Sequence, residues 1–116
     1  MQQIVDLEND PAFQALNVGL VSIARDSLAE LAAGRQEYGI SATPLLSDSD
    51  QSVSQAYDVL RWAIASGEPG HTFILVDQQG QVAWIEDYGA PDNPNRTMYV
   101  PVDELVQKIR ASLPAP

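Results

Sequence analysis

Pro69-Gly-His-Thr-Phe-Ile-Leu-Val-Asp-Gln-Gln-Gly-Gln-Val-Ala-Trp-Ile-Glu-Asp-Tyr-Gly89 is the stretch from which the rest of the chain can be placed. Within it, Phe73-Ile-Leu-Val76 is an unbroken, partly β-branched apolar run too short for an ordinary helix, so it reads as a strand buried on both faces. Asp77-Gln-Gln-Gly80 follows with turn chemistry: Gly80 accepts a positive φ, and the Asp77 carboxylate can bond its own backbone. Beyond the turn, Val82, Trp84 and Glu86 alternate with Ala83, Ile85 and Asp87 in a second, less apolar strand. The stretch is a hairpin whose first strand belongs to the core and whose second belongs to the rim.

Downstream, Ala90 to Thr97 is rich in turn formers and reads as a mobile connection. Pro101, Asp103 and Glu104 then open a last helix with acid in its first turn, a stripe of Leu105, Val106 and Ile109, and Lys108 and Arg110 toward its end. Leu113-Pro-Ala-Pro116 is expected to fray. Upstream, a helix already under way at residue 1 carries Ile4, Val5 and Leu7, and Asp10-Pro11 supplies an N-cap and first helical position for another turn or two over Ala12 to Leu16. Val18 to Ala24 reads as a buried parallel strand. Ser27-Leu-Ala-Glu30 is a capping box, followed by a stripe of Leu28, Leu31, Ala32 and Tyr38 and by Gly39 as a left-handed C-cap. Pro44 confines Ile40 to Leu46 to a sheet edge, Ser47 to Asp50 is a polar loop, and Ser52-Val-Ser-Gln55 offers a second capping box for a short helix through Leu60. The predicted order is helix, strand, helix, strand, helix, strand, strand, helix. It implies an α/β fold with a mostly parallel sheet, helices on both faces, and an antiparallel hairpin plus helix at the C-terminal side.

The 116 residues suffice for one core and suggest a single domain over 1–116, with no internal repeat. Sixteen acidic against six basic residues give a formal charge of −10, which argues against nucleic acid and anionic membranes as partners. The absence of cysteine removes disulfides, thiolate metal sites and thiol nucleophiles from this chain, and one histidine leaves no His-rich metal site. No metal and no cofactor is expected. Without a basic lead, an apolar signal core or a membrane-length run, the chain reads as soluble, unexported and cytoplasmic.

The succession Leu20-Val-Ser-Ile-Ala-Arg-Asp-Ser-Leu-Ala-Glu, Tyr38-Gly-Ile, Pro44-Leu-Leu-Ser-Asp-Ser-Asp, Ala56-Tyr-Asp-Val, His71-Thr-Phe-Ile-Leu-Val-Asp-Gln-Gln-Gly and Pro101-Val-Asp-Glu-Leu resembles the peroxiredoxin-like redoxins of the alkyl hydroperoxide reductase and thiol-specific antioxidant family. The resemblance lies in the order of the blocks and covers nearly the whole chain. It implies a thioredoxin-like fold and an antioxidant thiol peroxidase or thiol-disulfide oxidoreductase, acting on a peroxide or a dithiol or disulfide partner through a cysteine at the start of a helix. Gln2-Gln-Ile-Val-Asp-Leu resembles the remainder of that helix, so the domain is expected to lack the N-terminal strand and the cysteine motif and to be inactive as it stands. A cysteine-free thioredoxin-like domain used for binding or scaffolding is the alternative. The resemblance also implies that the missing strand would sit between the strand at Val18 to Ala24 and that at Phe73 to Val76. Either those two strands close up, or a second copy covers the exposed edges as a homodimer.

His71, the only imidazole, is the one candidate for lining the active site. Relatives often carry an arginine at the start of this strand to support the thiolate. Counting back from Asp77 places His71 there, whereas aligning on Thr72-Phe73 places Gly70 there, and a satisfied or solvated histidine is the competing reading. Pro69 and Thr72 read as structural. Asp26 beside Arg25 stands at a strand's C-terminal end but also suits a solvated loop. Glu86 and Asp87, adjacent on a strand, face opposite ways and make a poor acid-base pair. Asp48 and Asp50 lack the glycine and the distant glutamate of a calcium loop. Trp62, Trp84 and Tyr88 read as core and rim packing.

Overall fold

The computed structural model describes residues 1–113. Helix α1 (Gln2–Glu8) leads into α2 (Pro11–Ala15), where the Asp10 carboxylate accepts the Phe13 N–H at 2.8 Å as the N-cap reading requires. Strand β1 (Ser22–Ala24) pairs in parallel with β2 (Leu45–Ser47), and helix α3 (Leu28–Tyr38) crosses between them. Helix α4 (Ser52–Ala56) and a 3-10 turn at Val59–Trp62 precede β3 (Thr72–Val76), which pairs antiparallel with β4 (Val82–Asp87). Helix α5 (Val102–Ser112) closes the described chain. The parallel pair and the hairpin stand as separate two-stranded sheets. The closing up of the first and third strands therefore does not occur: neither reaches the other with a ladder of hydrogen bonds.

The hairpin forms as its sequence dictates. Gly80 takes φ 78°, and Asp77 Oδ1 accepts the N–H groups of Gln79 and Gln81 at 2.9 Å each. The core lies where the hairpin meets α5 and the first two helices: Leu7, Phe13, Leu75, Tyr88, Val100, Leu105, Val106 and Ile109 form one buried cluster. All three residues of the α5 stripe belong to it. Leu105 and Val100 are fully enclosed, at 0% exposure.

Several expectations need correction. Phe73–Val76 is not buried on both faces, because only Leu75 is buried and Val76 is 45% exposed. The strand expected over Val18 to Ala24 is three residues long, and Val21 and Ile23 are exposed. Both strands lack a sheet neighbour on one side, which leaves apolar residues uncovered. On α3 the capping box and the Gly39 C-cap are as read, but Leu28 and Tyr38 face solvent and the buried positions are Leu31 and Gly34. Ser52 is not an N-cap: Gln51 holds that place at φ 59°, and the Asp48 carboxylate accepts the Val53 and Ser54 N–H groups at 3.1 and 2.8 Å. The helix expected to continue through Leu60 breaks at Asp58, where φ is 58°. The 90–97 connection is bonded in place, through Arg96 Nε to Gly89 O at 2.9 Å and Thr97 N to Tyr88 O at 2.9 Å. The expected fraying lies, from residue 114 on, outside the described residues.

One long-range latch fixes the helices to the parallel sheet. The Glu8 carboxylate, at the end of α1, accepts five hydrogen bonds from the loop before β2: Ser41 N at 2.7 Å, Ser41 Oγ at 3.1 Å, Ala42 N at 3.2 Å, Thr43 N at 3.0 Å and Thr43 Oγ1 at 2.6 Å. Burial works to raise its pKa, but the donors together outweigh it and hold the carboxyl down to about 2. A depressed folded-state pKa means that this stabilisation is complete above the ordinary value of 4.5 and is lost as pH falls toward 2. In urea melts across that window, Glu8→Gln is expected to flatten the acid-side loss of stability relative to wild type; parallel curves would refute the latch. Leu105→Ala is expected to cost about 2–5 kcal/mol in the same assay, since the site is fully enclosed.

Candidate functional site

The first turn of α1 places Gln3 beneath the start of β3. Gln3 is a buried polar residue, 5% exposed, and its amide closes a ring with the backbone of Val100: Oε1 accepts the Val100 N–H at 2.7 Å and Nε2 donates to the Val100 carbonyl at 3.0 Å. The same Oε1 lies 3.3 Å from His71 Nε2. His71 precedes β3 by one residue, so its side chain falls on the same side as Phe73, and the two rings meet edge-on with centroids 4.9 Å apart. Phe73 in turn meets Tyr88 edge-on at 5.8 Å.

The backbone around His71 is clamped as well. Its carbonyl accepts the Tyr88 N–H at 2.8 Å. Gly89 passes so close that a Cβ there would stand 2.6 Å from the His71 nitrogen, which only glycine permits. Thr72 Oγ1 donates to Asp87 Oδ1 at 2.7 Å, and Asp87 Oδ2 accepts the Ala90 N–H at 2.8 Å. Thr72 and Asp87 are thus tied to each other and to the hairpin end. Burial is the main influence on the imidazole and lowers its pKa; the Met1 amino group acts in the same direction and Asp87 opposes it.

A second cluster lies between β4 and α5. Lys108 Nζ donates to Glu86 Oε2 at 2.6 Å and to the Tyr88 hydroxyl at 2.9 Å, and it stands 3.5 Å from Glu104 Oε2. The Tyr88 hydroxyl donates to Glu104 Oε2 at 3.3 Å. Burial pushes the Tyr88 hydroxyl up to about 12. These groups line an open groove of about 390 Å³ together with Asn95 and Thr97. They form a closed charge network in which every member has a partner. Glu86 and Asp87 do face different neighbours, so they make no acid-base pair.

The remaining candidates are dispersed. Asp48, 4% exposed, caps α4, and Asp50 Oδ1 accepts the Ser52 N–H at 3.1 Å, so both carboxylates serve the start of that helix. Asp26 contributes its backbone carbonyl to Ser47 Oγ at 2.6 Å. Tyr88 is core and Trp84 packs against it, while Trp62 lies under the Arg61 guanidinium, 4.0 Å from its ring centroid. Among the described residues no three acid or imidazole side chains converge on a metal position, and no helix is long and apolar enough to cross a membrane. Sequence reasoning missed Gln3 altogether, because nothing local links residue 3 to residue 100. It placed Lys108 only as a cation late in α5, although the Glu104/Lys108 spacing of four was a visible signal.

The AhpC/TSA family matches the chain over residues 2–85, so the chain belongs to that family. Among solved structures it is similar to the reduced 2-Cys peroxiredoxin of Plasmodium vivax, at 26% identity and a TM-score of 0.68 over 95% of this chain and 65% of that one. It is also similar to AhpC of Enterococcus faecalis (23%, 0.71, covering 95% and 64%) and AhpC of Mycobacterium tuberculosis (20%, 0.70, covering 94% and 58%). The chain thus spans less than two thirds of each of these proteins. No curated protein matches it. These neighbours establish the thioredoxin-like peroxiredoxin fold.

Because the folded state holds His71 below its ordinary 6.5, protonation favours the unfolded chain: stability is unaffected above 6.5 and falls as pH drops through it. Proton NMR titration of this sole imidazole is expected to give a midpoint below 6.5, and a midpoint above it would contradict the buried placement.

Proposed function

We propose that the chain is a single redoxin domain which, joined to a segment bearing a cysteine ahead of α1, works as an antioxidant thiol peroxidase or thiol-disulfide oxidoreductase. The match to the AhpC/TSA family over residues 2–85 carries this reading. Alone, the chain has no sulfur nucleophile, since it contains no cysteine. His71 is the residue proposed to line the thiol site. What supports it is the link through Gln3 to the first turn of α1, the helix whose resemblance to the thiol-bearing helix was noted above. The substrate is a peroxide, with a dithiol or disulfide partner as reductant, and the compartment proposed is the cytoplasm.

A second copy of the chain is proposed to cover the open sheet edges. Ile23 and Leu46 on one sheet, Val21 just ahead of it, and Val76 and Val82 on the other are exposed, and uncovered apolar residues beside an unpaired strand edge favour association.

Peroxide-dependent oxidation of dithiothreitol by this chain is expected to run no faster than buffer. The same protein preceded by its upstream coding sequence is expected to turn over, and more slowly after His71→Ala. Turnover by the cysteine-free chain would overturn the reading. Light scattering is expected to return twice the monomer mass for the purified chain, and a monomer would eliminate the edge contact.

A further inference from the structure

We propose that Gln3 is a positioning residue for His71: clamped on both amide atoms by Val100, it offers the imidazole only a carbonyl oxygen and so holds the ring as the Nε2–H tautomer, with Nδ1 left as a lone-pair acceptor. The argument begins with the amide. Gln3 Oε1 meets a backbone N–H at 2.7 Å and Gln3 Nε2 meets a backbone carbonyl at 3.0 Å. Turning the amide over would set donor against donor and acceptor against acceptor in a site where Val100 is fully enclosed and Gln3 is 5% exposed, so its orientation is fixed. The atom 3.3 Å from His71 Nε2 is therefore an oxygen that can only accept. The ring nitrogen facing it has to carry the hydrogen, and in a neutral imidazole the other nitrogen then carries the lone pair.

The ring has little freedom to escape this arrangement. Phe73 stands edge-on against it, and the backbone of residue 71 is held by Tyr88 and by the close approach of Gly89. Burial is the main influence on the ring and favours its uncharged form, and the side-chain charge that reaches it, Asp87, works against burial. Resting on the proposed lining role of His71, this makes position 71 a neutral acceptor for a thiol proton, where an arginine would present a fixed cation.

Long-range proton–nitrogen NMR reads the tautomer directly, and the single histidine removes any ambiguity of assignment. Wild type is expected to show a pyrrole-like Nε2, a pyridine-like Nδ1 and an Nε2 proton that survives solvent exchange long enough to be observed. Free imidazoles favour the same tautomer in water, so the proton's lifetime is the discriminating signal. Gln3→Leu is expected to abolish the observable Nε2 proton. Gln3→Glu keeps an oxygen toward the ring but sets its other oxygen against the Val100 carbonyl, so it is expected to lower stability and, in the folded protein, to retain the Nε2 proton and raise the His71 pKa through the added negative charge. An Nδ1–H tautomer in wild type, or an Nε2 proton too short-lived in wild type to be observed, would overturn the proposal even if Gln3→Leu failed to fold; an Nε2 proton as long-lived in a folded Gln3→Leu as in wild type would overturn it too. If the tautomer holds but His71→Ala leaves peroxidase turnover of the cysteine-bearing protein unchanged, the lining role fails and the tautomer lock stands.

Discussion

Val100 is completely enclosed, and an enclosed peptide group has to find hydrogen-bond partners within the protein. It finds both on one side chain ninety-seven positions earlier, the amide of Gln3. Apolar contacts between α1 and α5 would hold the two helices together in many nearly equivalent ways, because burial has no preferred direction. The paired amide bonds do have a direction, so they fix which turn of α1 sits against the approach to α5. Leu7 then falls into the same cluster as Leu105 and Ile109, and the oxygen of Gln3 is left facing His71. One ring of hydrogen bonds sets the register of the core and the surroundings of the candidate site together.

The elements that were legible in the sequence are those whose causes lie within a few residues. Asp77 and Gly80 make the hairpin turn, Ser27 and Glu30 close a capping box at 3.2 and 3.0 Å, and Asp10 caps the helix that begins at Pro11. The α5 stripe was equally clear, because its apolar residues repeat at one helical face. Which face of α3 is buried was not legible: Leu31 and Gly34 turn inward while the larger Leu28 and Tyr38 turn out, a choice made by the surrounding chain. The cap of α4 failed for a related reason. Ser52 had the right spacing, but an Asp48 already held at the end of β2 could reach two amides, and a carboxylate is the stronger acceptor. At the site, His71 and Thr72 were visible as residue types, whereas Gln3 acquires its part only from contacts that no local pattern encodes.

The exposed strand residues follow from the split of the sheet. A parallel pair is ordinarily covered on both faces, and a strand with neighbours on each side hides its backbone. Here β1 has only β2, and β3 has only β4. Ile23 and Leu46 stand opposite one another in the β1–β2 register, and Val76 faces Val82 in the hairpin. Each of these four exposed apolar residues is therefore backed by another across the ladder. The apolar character of Phe73–Val76, which suggested burial on both faces, belongs to a strand that in this chain has one free edge.

The net charge of −10 is sharpened by how the basic residues are used. Arg35 spends its guanidinium on the carbonyls of Ile40 and Thr43, at 3.1 and 2.6 Å, and Arg96 bonds the Gly89 carbonyl. Lys108 is held by Glu86 and Tyr88, and Arg61 lies over Trp62. With Arg35, Arg61, Arg96 and Lys108 so engaged, only Arg25 and Arg110 remain of the six basic residues. Clustered free cations are what a polyanion surface needs, and the cations of this fold are instead tied to its own carbonyls, carboxylates and rings. The acidic groups outnumber them, and several, such as Glu8 and Asp48, are also turned inward onto backbone amides. Charge in this domain serves first to close loops and cap helices, and the site around His71 is left to uncharged hydrogen bonding.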